Sequence, residues 1–246
     1  MAALLLLAGT AQAEDGGAEA AIAAALAAPD RPERQRAADA ERKPAAILAM
    51  FKLAPGQRVL DVVAGQGYYT RLLAGPVGPK GRVFAHSTEG LIAVDKLQPE
   101  WDRLLASHPN VELLIGVPGL VKLPERLDRV LFHLTFHDLW WESEAYRIPR
   151  MNPSGFLQEL KAAMVPGGLL LVVDHAASPG AEPRAETMAR HRIDPAVVKA
   201  EMAKAGFTLE AESGLLANPA DDRTKLVYDP AIRGKTDRFT LLFRSD

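Results

Sequence analysis

The 246-residue sequence contains no cysteine, and this absence narrows the chemistry open to it. Disulfides, thiolate metal ligands and a cysteine nucleophile are all excluded. Aromatic residues are scarce at 6%, and neither sign of charge predominates, because the formal net charge is -2. Binding to nucleic acid or to an anionic membrane by counterion release needs a basic surface. The composition therefore favours a small-molecule partner, handled by histidine, carboxylate, hydroxyl or backbone groups.

Long apolar runs are also missing, and no stretch approaches the ~20 apolar residues of a membrane span, so we expect no stable membrane insertion. The one short apolar run near the start, residues 2–8, is followed by small residues that end in Ala11-Gln12-Ala13. This order is typical of a secretory signal, although a basic start is missing. We expect residues 1–13 to be a signal peptide and the protein to be periplasmic or otherwise exported. A cytoplasmic protein with an apolar tail is the alternative.

The remaining chain divides into residues 14–43, predicted to be a helical extension, and residues 44–246, predicted to be one large domain. In the domain, short β-rich runs alternate with helical stretches. Such alternation predicts an α/β three-layer sandwich, with helices on both faces of a mostly parallel, Rossmann-like sheet. The predicted strands are Arg58–Val63, Arg82–His86, Val111–Ile115, Arg129–Leu134, Leu169–Asp174, Thr208–Ser213 and Phe239–Arg244. The predicted helices between them are Tyr69–Ala74, Leu91–Leu105, Ser154–Met164 and Pro195–Ala205.

The stretch "DVVAGQGYYT", Asp61 to Thr70, forms the turn after the first predicted strand. In a doubly wound sheet this turn meets the ligand. Gly65 and Gly67 permit backbone conformations and close approaches that a side chain would block. The dinucleotide fingerprint requires a third glycine three residues after the second, where this chain has Thr70. A dehydrogenase is therefore disfavoured.

An acidic residue followed by spaced glycines resembles motif I of the class I S-adenosylmethionine-dependent methyltransferases. Asp61, Gly65 and Gly67 match this motif, and Val63 stands where its first glycine normally is. "AAMVPGGLLLVVDH" resembles the helix, turn and fifth strand of the superfamily, and "HRIDPAVVKAEMAKAGFTLEAES" resembles its last helix and sixth strand. Within the superfamily, "TFHDLWW", "VVDHAA", "HRID", "NPADDR" and "DPAIRGKTD" resemble an exported bacterial group of predicted methyltransferases. The resemblance implies seven strands in the order 3-2-1-4-5-7-6, with strand 7 antiparallel.

The same resemblance implies S-adenosylmethionine as the cofactor. Methyltransferases usually end the second strand with a carboxylate that binds the ribose, whereas this chain has His86, Ser87 and Thr88 there, with Glu89 as the nearest acid. The predicted cofactor-binding residues are Asp61, Ala64, Gly65, Gly67, Tyr69, Thr70, Ser87, Glu89 and Phe136. Asp61 as a simple helix-capping carboxylate is the structural alternative.

Histidines and acids follow the fourth and fifth predicted strands, which are neighbours in the implied order. "LFHLTFHDLWW" puts His137 and Asp138 just past the fourth strand, and Asp174-His175 ends the fifth. Methyl transfer needs an aligned acceptor and, for a tightly held proton, a base of near-neutral pKa. We predict His137 as base or substrate orienter, Asp138 as its partner, and His175 as second choice; structural histidines are the alternative. We predict no metal site, because a strand-to-loop transition scatters the two rings of "HLTFH".

The acceptor is predicted to contact residues from three regions: Trp140, Asp174, Arg223, Arg233 and Lys235. The last three belong to the polar loop Asn218–Asp237, which is either a lid over the acceptor or a solvated hairpin. Asp39, Arg42 and Lys43 lie on a charged helix that either folds over the cofactor or is a plain solvated face.

These observations favour an S-adenosylmethionine-dependent methyltransferase acting on an unidentified small molecule. An exported ligand-binding protein that keeps this fold without methyl transfer is the alternative, because fold alone does not fix function. A metal-assisted hydrolase that uses the histidines is a weaker one. The sequence makes no prediction about oligomeric state.

Overall fold

The computed structural model describes residues 17–246 and confirms the predicted α/β fold. Within that range, seven strands form one sheet in the order β3-β2-β1-β4-β5-β7-β6. Strands β1 to β5 pair in parallel, and β7 runs antiparallel to both β5 and β6, as predicted. The strands are β1 (Arg58–Val62), β2 (Arg82–Ser87), β3 (Val111–Ile115), β4 (Leu127–His133), β5 (Met164–His175), β6 (Phe207–Ser213) and β7 (Arg238–Ser245).

Helices precede the sheet and cover both of its faces. They are α1 (residues 17–27), α2 (Glu33–Ala37), α3 (Asp39–Arg42), α4 (Pro44–Met50), α5 (Tyr68–Val77), α6 (Glu89–Val94), α7 (Gln98–Ser107), α8 (Pro153–Ala163), α9 (Pro183–Arg190) and α10 (Pro195–Lys204). A 3-10 helix, His137–Trp140, follows β4. Lys43 has a φ of 44° and separates α3 from α4, which begins at Pro44.

The prediction of one helix over Leu91–Leu105 is wrong. The chain forms α6 and α7 there, separated by a turn at Lys96, whose φ is 53°. Pro99 explains the break: it lacks an N–H and is tolerated only in the first turn of a helix, where α7 places it. Helix α9, which the sequence analysis did not predict, also begins at a proline, Pro183.

Strand residues point alternately to two cores, one on each face of the sheet. Val59 and Leu131 pack into the core beneath α4, α5 and α7, whereas Leu60, Val130 and Phe132 pack into the core beneath α8 and α10. Both faces are thus buried, so most residues of the central strands are apolar. Burial on both faces fixes the register of the sheet and holds the carboxyl ends of β1, β2, β4 and β5 in a row.

Among residues 17–246, no helix combines the length and apolarity that crossing a membrane requires. Residues 1–13, where a signal peptide is predicted, lie outside the described residues.

Candidate active site

The turn after β1 is built from left-handed backbone. Val63, Gly65 and Gly67 have φ angles of 55°, 55° and 70°. An added Cβ on Gly67 would meet the end of the Leu104 side chain, whereas the space at Gly65 is open for 4 Å. Gly67 is therefore favoured by its positive φ and by close packing, and Gly65 faces free space. Val63 takes the left-handed conformation despite its branched side chain, which is a strained state for such a residue.

Asp61 lies buried beneath this turn. The Thr70 hydroxyl donates a 2.7 Å hydrogen bond to Asp61 Oδ2 from the first turns of α5. Burial raises the pKa of Asp61 to about 6, and the Thr70 contact offsets part of that rise. Thr70 thus stands in place of the third glycine of a dinucleotide site and serves to hold Asp61.

His86 occupies the end of β2, where methyltransferases usually carry the ribose-binding acid. It is buried, its Nε2 lies 2.9 Å from the Gly116 carbonyl oxygen, and its Nδ1 accepts the Val63 N–H at 3.3 Å. Burial lowers the pKa of His86 to about 4, so the ring is neutral and donates from Nε2 to the carbonyl. His86 therefore connects the turn after β1 to the end of β3.

The two residues after His86 that were predicted to bind the cofactor differ in exposure. Ser87 is fully buried, and its Oγ has no hydrogen-bond partner among the residues described. Glu89 is exposed at the start of α6, which is capped by the Thr88 hydroxyl. Ala64, a further predicted contact, donates its backbone N–H to the His86 carbonyl at 2.8 Å.

Tyr69 and His133 bring further unpaired polar atoms to the ends of β1 and β4. Their ring centroids are 4.4 Å apart. Within residues 17–246, neither the Tyr69 hydroxyl nor either nitrogen of His133 has a hydrogen-bond partner. Burial raises the pKa of Tyr69 and lowers that of His133 well below its usual range. Both rings are therefore neutral, with polar atoms that a ligand can engage.

The N-terminal extension packs directly on the turn. Gln35 Nε2 donates to the Gln66 carbonyl at 3.1 Å, and Arg34 Nε donates to Gln66 Oε1 at 2.8 Å. The Tyr68 hydroxyl donates to Asp39 Oδ1 at 2.6 Å. The Arg42 guanidinium lies 4.4 Å from the centroid of the Tyr68 ring. Helix α2 thus contacts the turn, and the half-buried Asp39 and Arg42 of α3 contact Tyr68 at the start of α5.

His137 lies at the centre of a buried group of histidines and acids. Its backbone N–H donates to Asp174 Oδ2, and its Nδ1 lies 2.8 Å from Asp174 Oδ1. Its Nε2 lies 3.2 Å from Asp138 Oδ1 and 3.3 Å from His191 Nδ1. Burial would lower the pKa of His137, but Asp174 and Asp138 outweigh it and raise the pKa to about 10. Burial would raise the pKa of Asp138, yet His137 and His191 lower it to about 2.

This geometry separates the two roles predicted for His137. With a pKa of about 10 it is an imidazolium at neutral pH, which donates hydrogen bonds and does not abstract protons. His175 is different: burial, with the nearby His137, lowers its pKa well below the usual range. Its Nδ1 lies 2.6 Å from the Thr236 hydroxyl. The raised pKa and the two engaged nitrogens disfavour His137 as a base, orientation of a substrate by His137 stays a prediction, and His175 is a neutral ring.

The remaining predicted residues near the ends of β4 and β5 are buried or half-buried. Phe136 is fully buried against Phe132 and Trp140, in the core on the α8 side. Trp140 is half-buried, and its carbonyl accepts a 2.8 Å hydrogen bond from Arg184. Asp174 is fully buried by its contacts with His137 and the His175 N–H.

The loop Asn218–Asp237 is anchored at several points. Fully buried Arg192 pairs with Asp221 at 2.8 Å, and Arg223 pairs with Asp237 at 2.8 Å. Arg223 is thus engaged within the loop, whereas Arg233 and Lys235 are both exposed. The structure brings none of these three predicted acceptor contacts into the group around His137.

Sequence reasoning missed His191 and gave His86 no role. His191 follows α9 and reaches His137 from 54 positions along the chain. The only signal was "HRID", which the resemblance singled out without assigning a function to its histidine.

No protein-family model and no curated protein matches the sequence. Solved structures do match its fold. An S-adenosylmethionine-dependent methyltransferase from Aquifex aeolicus is 22% identical, with a TM-score of 0.57 over 82% of this chain and 88% of that one. Fibrillarin from Aeropyrum pernix, with natively bound S-adenosyl-L-methionine, is 13% identical, with a TM-score of 0.51 over 84% and 76%. The [4+2]-cyclase SpnF is 15% identical, with a TM-score of 0.58 over 83% and 80%. The chain therefore has the seven-stranded fold of the S-adenosylmethionine-dependent methyltransferases, a fold that also occurs in a cyclase.

Proposed function

We propose that this protein is an S-adenosylmethionine-dependent methyltransferase acting on a small-molecule acceptor. The observation that carries the proposal is the left-handed turn over buried Asp61, at the end of β1. In the observed order, β1 lies between β2 and β4, where chain connections leave in opposite directions. Doubly wound sheets bind their ligands in the crevice at that point.

Residues around the turn fit an adenosine-bearing ligand. Ser87, Tyr69 and His133 present buried polar atoms without partners in the described part of the chain, and Gly65 faces open space. Ser87 Oγ, at the end of β2, suits a ribose hydroxyl, while Tyr69 and His133 suit the amino-acid part of the ligand. When bound, S-adenosylmethionine supplies an electrophilic methyl group. Because β2 does not end in the usual acid, binding depends on neutral hydrogen bonds, which contribute roughly 0.5–1.5 kcal/mol each.

The acceptor side of the site follows from the two histidines. His137, whose two ring nitrogens are held by Asp174 and Asp138, orients the acceptor by contact with its ring and not through a free N–H. His175, a neutral ring whose Nδ1 is engaged by Thr236, offers Nε2 to accept a hydrogen bond from the acceptor. Asp138 fixes the position of His137.

A calorimetric titration with S-adenosylhomocysteine tests the proposal. Wild-type protein should bind at one site, and Asp61→Ala should bind roughly ten-fold or more weakly, because a buried carboxylate that shapes the site is removed. Asp102→Ala, an exposed acid on α7, is the matched control and should bind like the wild type. Absence of both heat and thermal shift with millimolar nucleoside rejects the proposal.

A ligand-binding protein without methyl transfer is the second candidate, and His86 favours it. Methyltransferases usually carry the ribose-binding acid at this end of β2. Here both ring nitrogens of His86 form hydrogen bonds to the backbone, so the ring has a structural role. Incubation with isotope-labelled S-adenosylmethionine and a small-molecule extract separates the candidates. Label transferred to an extract component indicates a methyltransferase, whereas binding without transfer indicates the second candidate.

We also propose that residues 1–13 direct export, in keeping with the exported group that the sequence resembles. N-terminal sequencing of protein from a periplasmic fraction should begin at Glu14. An intact Met1 on protein confined to the cytoplasm contradicts export and leaves the enzymatic proposal unaffected.

A further inference from the structure

Three potential metal ligands converge beside the proposed acceptor site. His137 Nε2 lies 3.2 Å from Asp138 Oδ1 and 3.3 Å from His191 Nδ1, and His191 Nδ1 lies 3.7 Å from Asp138 Oδ1. These residues come from the 3-10 helix after β4 and from the end of α9. We call them the His-Asp-His triad. None of its three residues belongs to the turn after β1.

We propose that the His-Asp-His triad binds a divalent transition-metal ion of the Zn²⁺ class. A tetrahedral ion with bonds of ~2.0–2.1 Å holds its ligand atoms roughly 3.4 Å apart. The three separations in the triad bracket that value, so an ion fits between the atoms without rearrangement of the backbone. Two imidazoles and one carboxylate are a ligand set that suits zinc and its neighbours. On binding, the ion takes the place of the proton on Nε2 of His137, and that proton is released to solvent.

The surroundings of His137 are those of a metal-bound histidine. Its Nδ1 lies 2.8 Å from Asp174 Oδ1, and its backbone N–H is bonded to the other oxygen of the same carboxylate. Metal-ligating histidines usually donate their second ring N–H to a carboxylate, which fixes the ring and directs its free nitrogen at the ion. Asp174, which is fully buried, accepts from Nδ1 of His137 and so directs Nε2 of that ring at the proposed ion.

His191 is held in place by its backbone and by aromatic rings. Its φ of 54° is left-handed, and its backbone N–H closes α9 on the Thr187 carbonyl. Its ring centroid lies 5.3 Å from that of Trp141 and 5.2 Å from that of Tyr228. A non-glycine residue held in this conformation is strained, and such residues cluster at functional sites.

Three protein ligands leave a coordination position for water or for a substrate oxygen. Asp138 and Trp141 line a small cavity that also reaches Val63 in the turn after β1 and Thr88 at the start of α6. Of the triad, Asp138 thus connects the proposed ion to the side of the turn. Given the proposed function, the ion would bind a hydroxyl of the acceptor and lower the pKa of that hydroxyl. That last step rests on the proposed function, whereas binding of the ion does not.

Titration of chelator-treated, full-length protein with Zn²⁺ tests the proposal, with Co²⁺ absorbance as a spectroscopic readout. The wild type should bind one ion, with visible bands from a four- or five-coordinate Co²⁺ site. His191→Ala and Asp138→Asn should each weaken binding at least ten-fold, and Asp174→Asn should weaken it about 10–100-fold through the orientation of His137. His108→Ala, a histidine outside the triad, is the matched control and should bind like the wild type.

Two results overturn the proposal. One is the absence of stoichiometric binding by the wild type, which makes the triad a hydrogen-bonded group only. The other is unchanged affinity in Asp138→Asn, a variant of the same shape whose circular dichroism should match the wild type. Titration of the same metal-free protein with S-adenosylhomocysteine is a separate measurement, so failure of the metal site and failure of the proposed function are distinguishable.

Discussion

Replacing Asp61 by asparagine should make the protein more stable at high pH. Asp61 is buried, and its pKa is raised from an ordinary 3.8 to about 6, chiefly by burial. A raised acid pKa means that the neutral form favours folding. Its contribution is complete below about 3.8 and is lost as the pH rises through about 6. At pH 8 the ionised carboxylate therefore costs about 3 kcal/mol of folding free energy.

An asparagine side chain would retain the shape of the aspartate, and its amide oxygen can accept the Thr70 hydroxyl that now bonds Asp61 Oδ2. The added amide N–H carries a cost of its own, but that cost does not depend on pH. The stabilisation of Asp61→Asn relative to the wild type should therefore be larger at pH 8 than at pH 4 by roughly 2–3 kcal/mol. Comparison between the two pH values cancels the constant terms.

Urea denaturation of both proteins at pH 4 and pH 8 measures this difference. Asp102→Asn, at an exposed position on α7, should change stability equally at the two pH values, because that carboxylate has no burial cost to lose. If Asp61→Asn also shifts stability equally at both, the ionised carboxylate is compensated in the folded protein. The description of Asp61 as a buried acid whose ionised form is disfavoured in the folded protein is then refuted.

Other changes test the turn, the unpaired hydroxyl and the buried ion pair. Val63→Gly should be about 1 kcal/mol more stable than Val63→Ala in thermal denaturation, because alanine keeps the left-handed strain; the reverse order contradicts that strain. Ser87→Ala should lose no stability but bind S-adenosylhomocysteine roughly two- to ten-fold more weakly in calorimetry; unchanged affinity removes Ser87 from the site. Asp221→Asn should lower the unfolding free energy by about 3–5 kcal/mol, since it leaves buried Arg192 uncompensated, whereas exposed Asp222→Asn should change it by less than ~1 kcal/mol in the same urea titration.

The sheet could be predicted because its signal is local. The central strands are short and rich in apolar residues because both of their faces are buried, and "LLLVV" in β5, preceded by glycines and followed by Asp174, is the clearest example. Gly65 and Gly67 marked the turn because the backbone there needs positive φ, as the structure confirms. The strand order came from the resemblance and is also confirmed.

The parts that escaped prediction depend on distant contacts. His191 meets His137 only because α9 returns the chain to the 3-10 helix after β4. His86 connects the turn to the Gly116 carbonyl, a contact with no sequence spacing to reveal it. The charges of α3 are typical of a solvated helix, yet Asp39 is engaged by the Tyr68 hydroxyl. The predicted roles of Arg233 and Lys235 stay predictions.

The docking of the N-terminal extension on Gln66 makes the first helices responsive to events at the turn. Arg34 and Gln35 hold that residue, so a ligand that fixes the turn also fixes the extension, and the two equilibria are linked. Trypsin cleavage after exposed Arg36 should therefore slow when the nucleoside is bound, although the cut site never touches it. The rate of trypsin cleavage in the first helices thus reports whether the nucleoside is bound in the crevice.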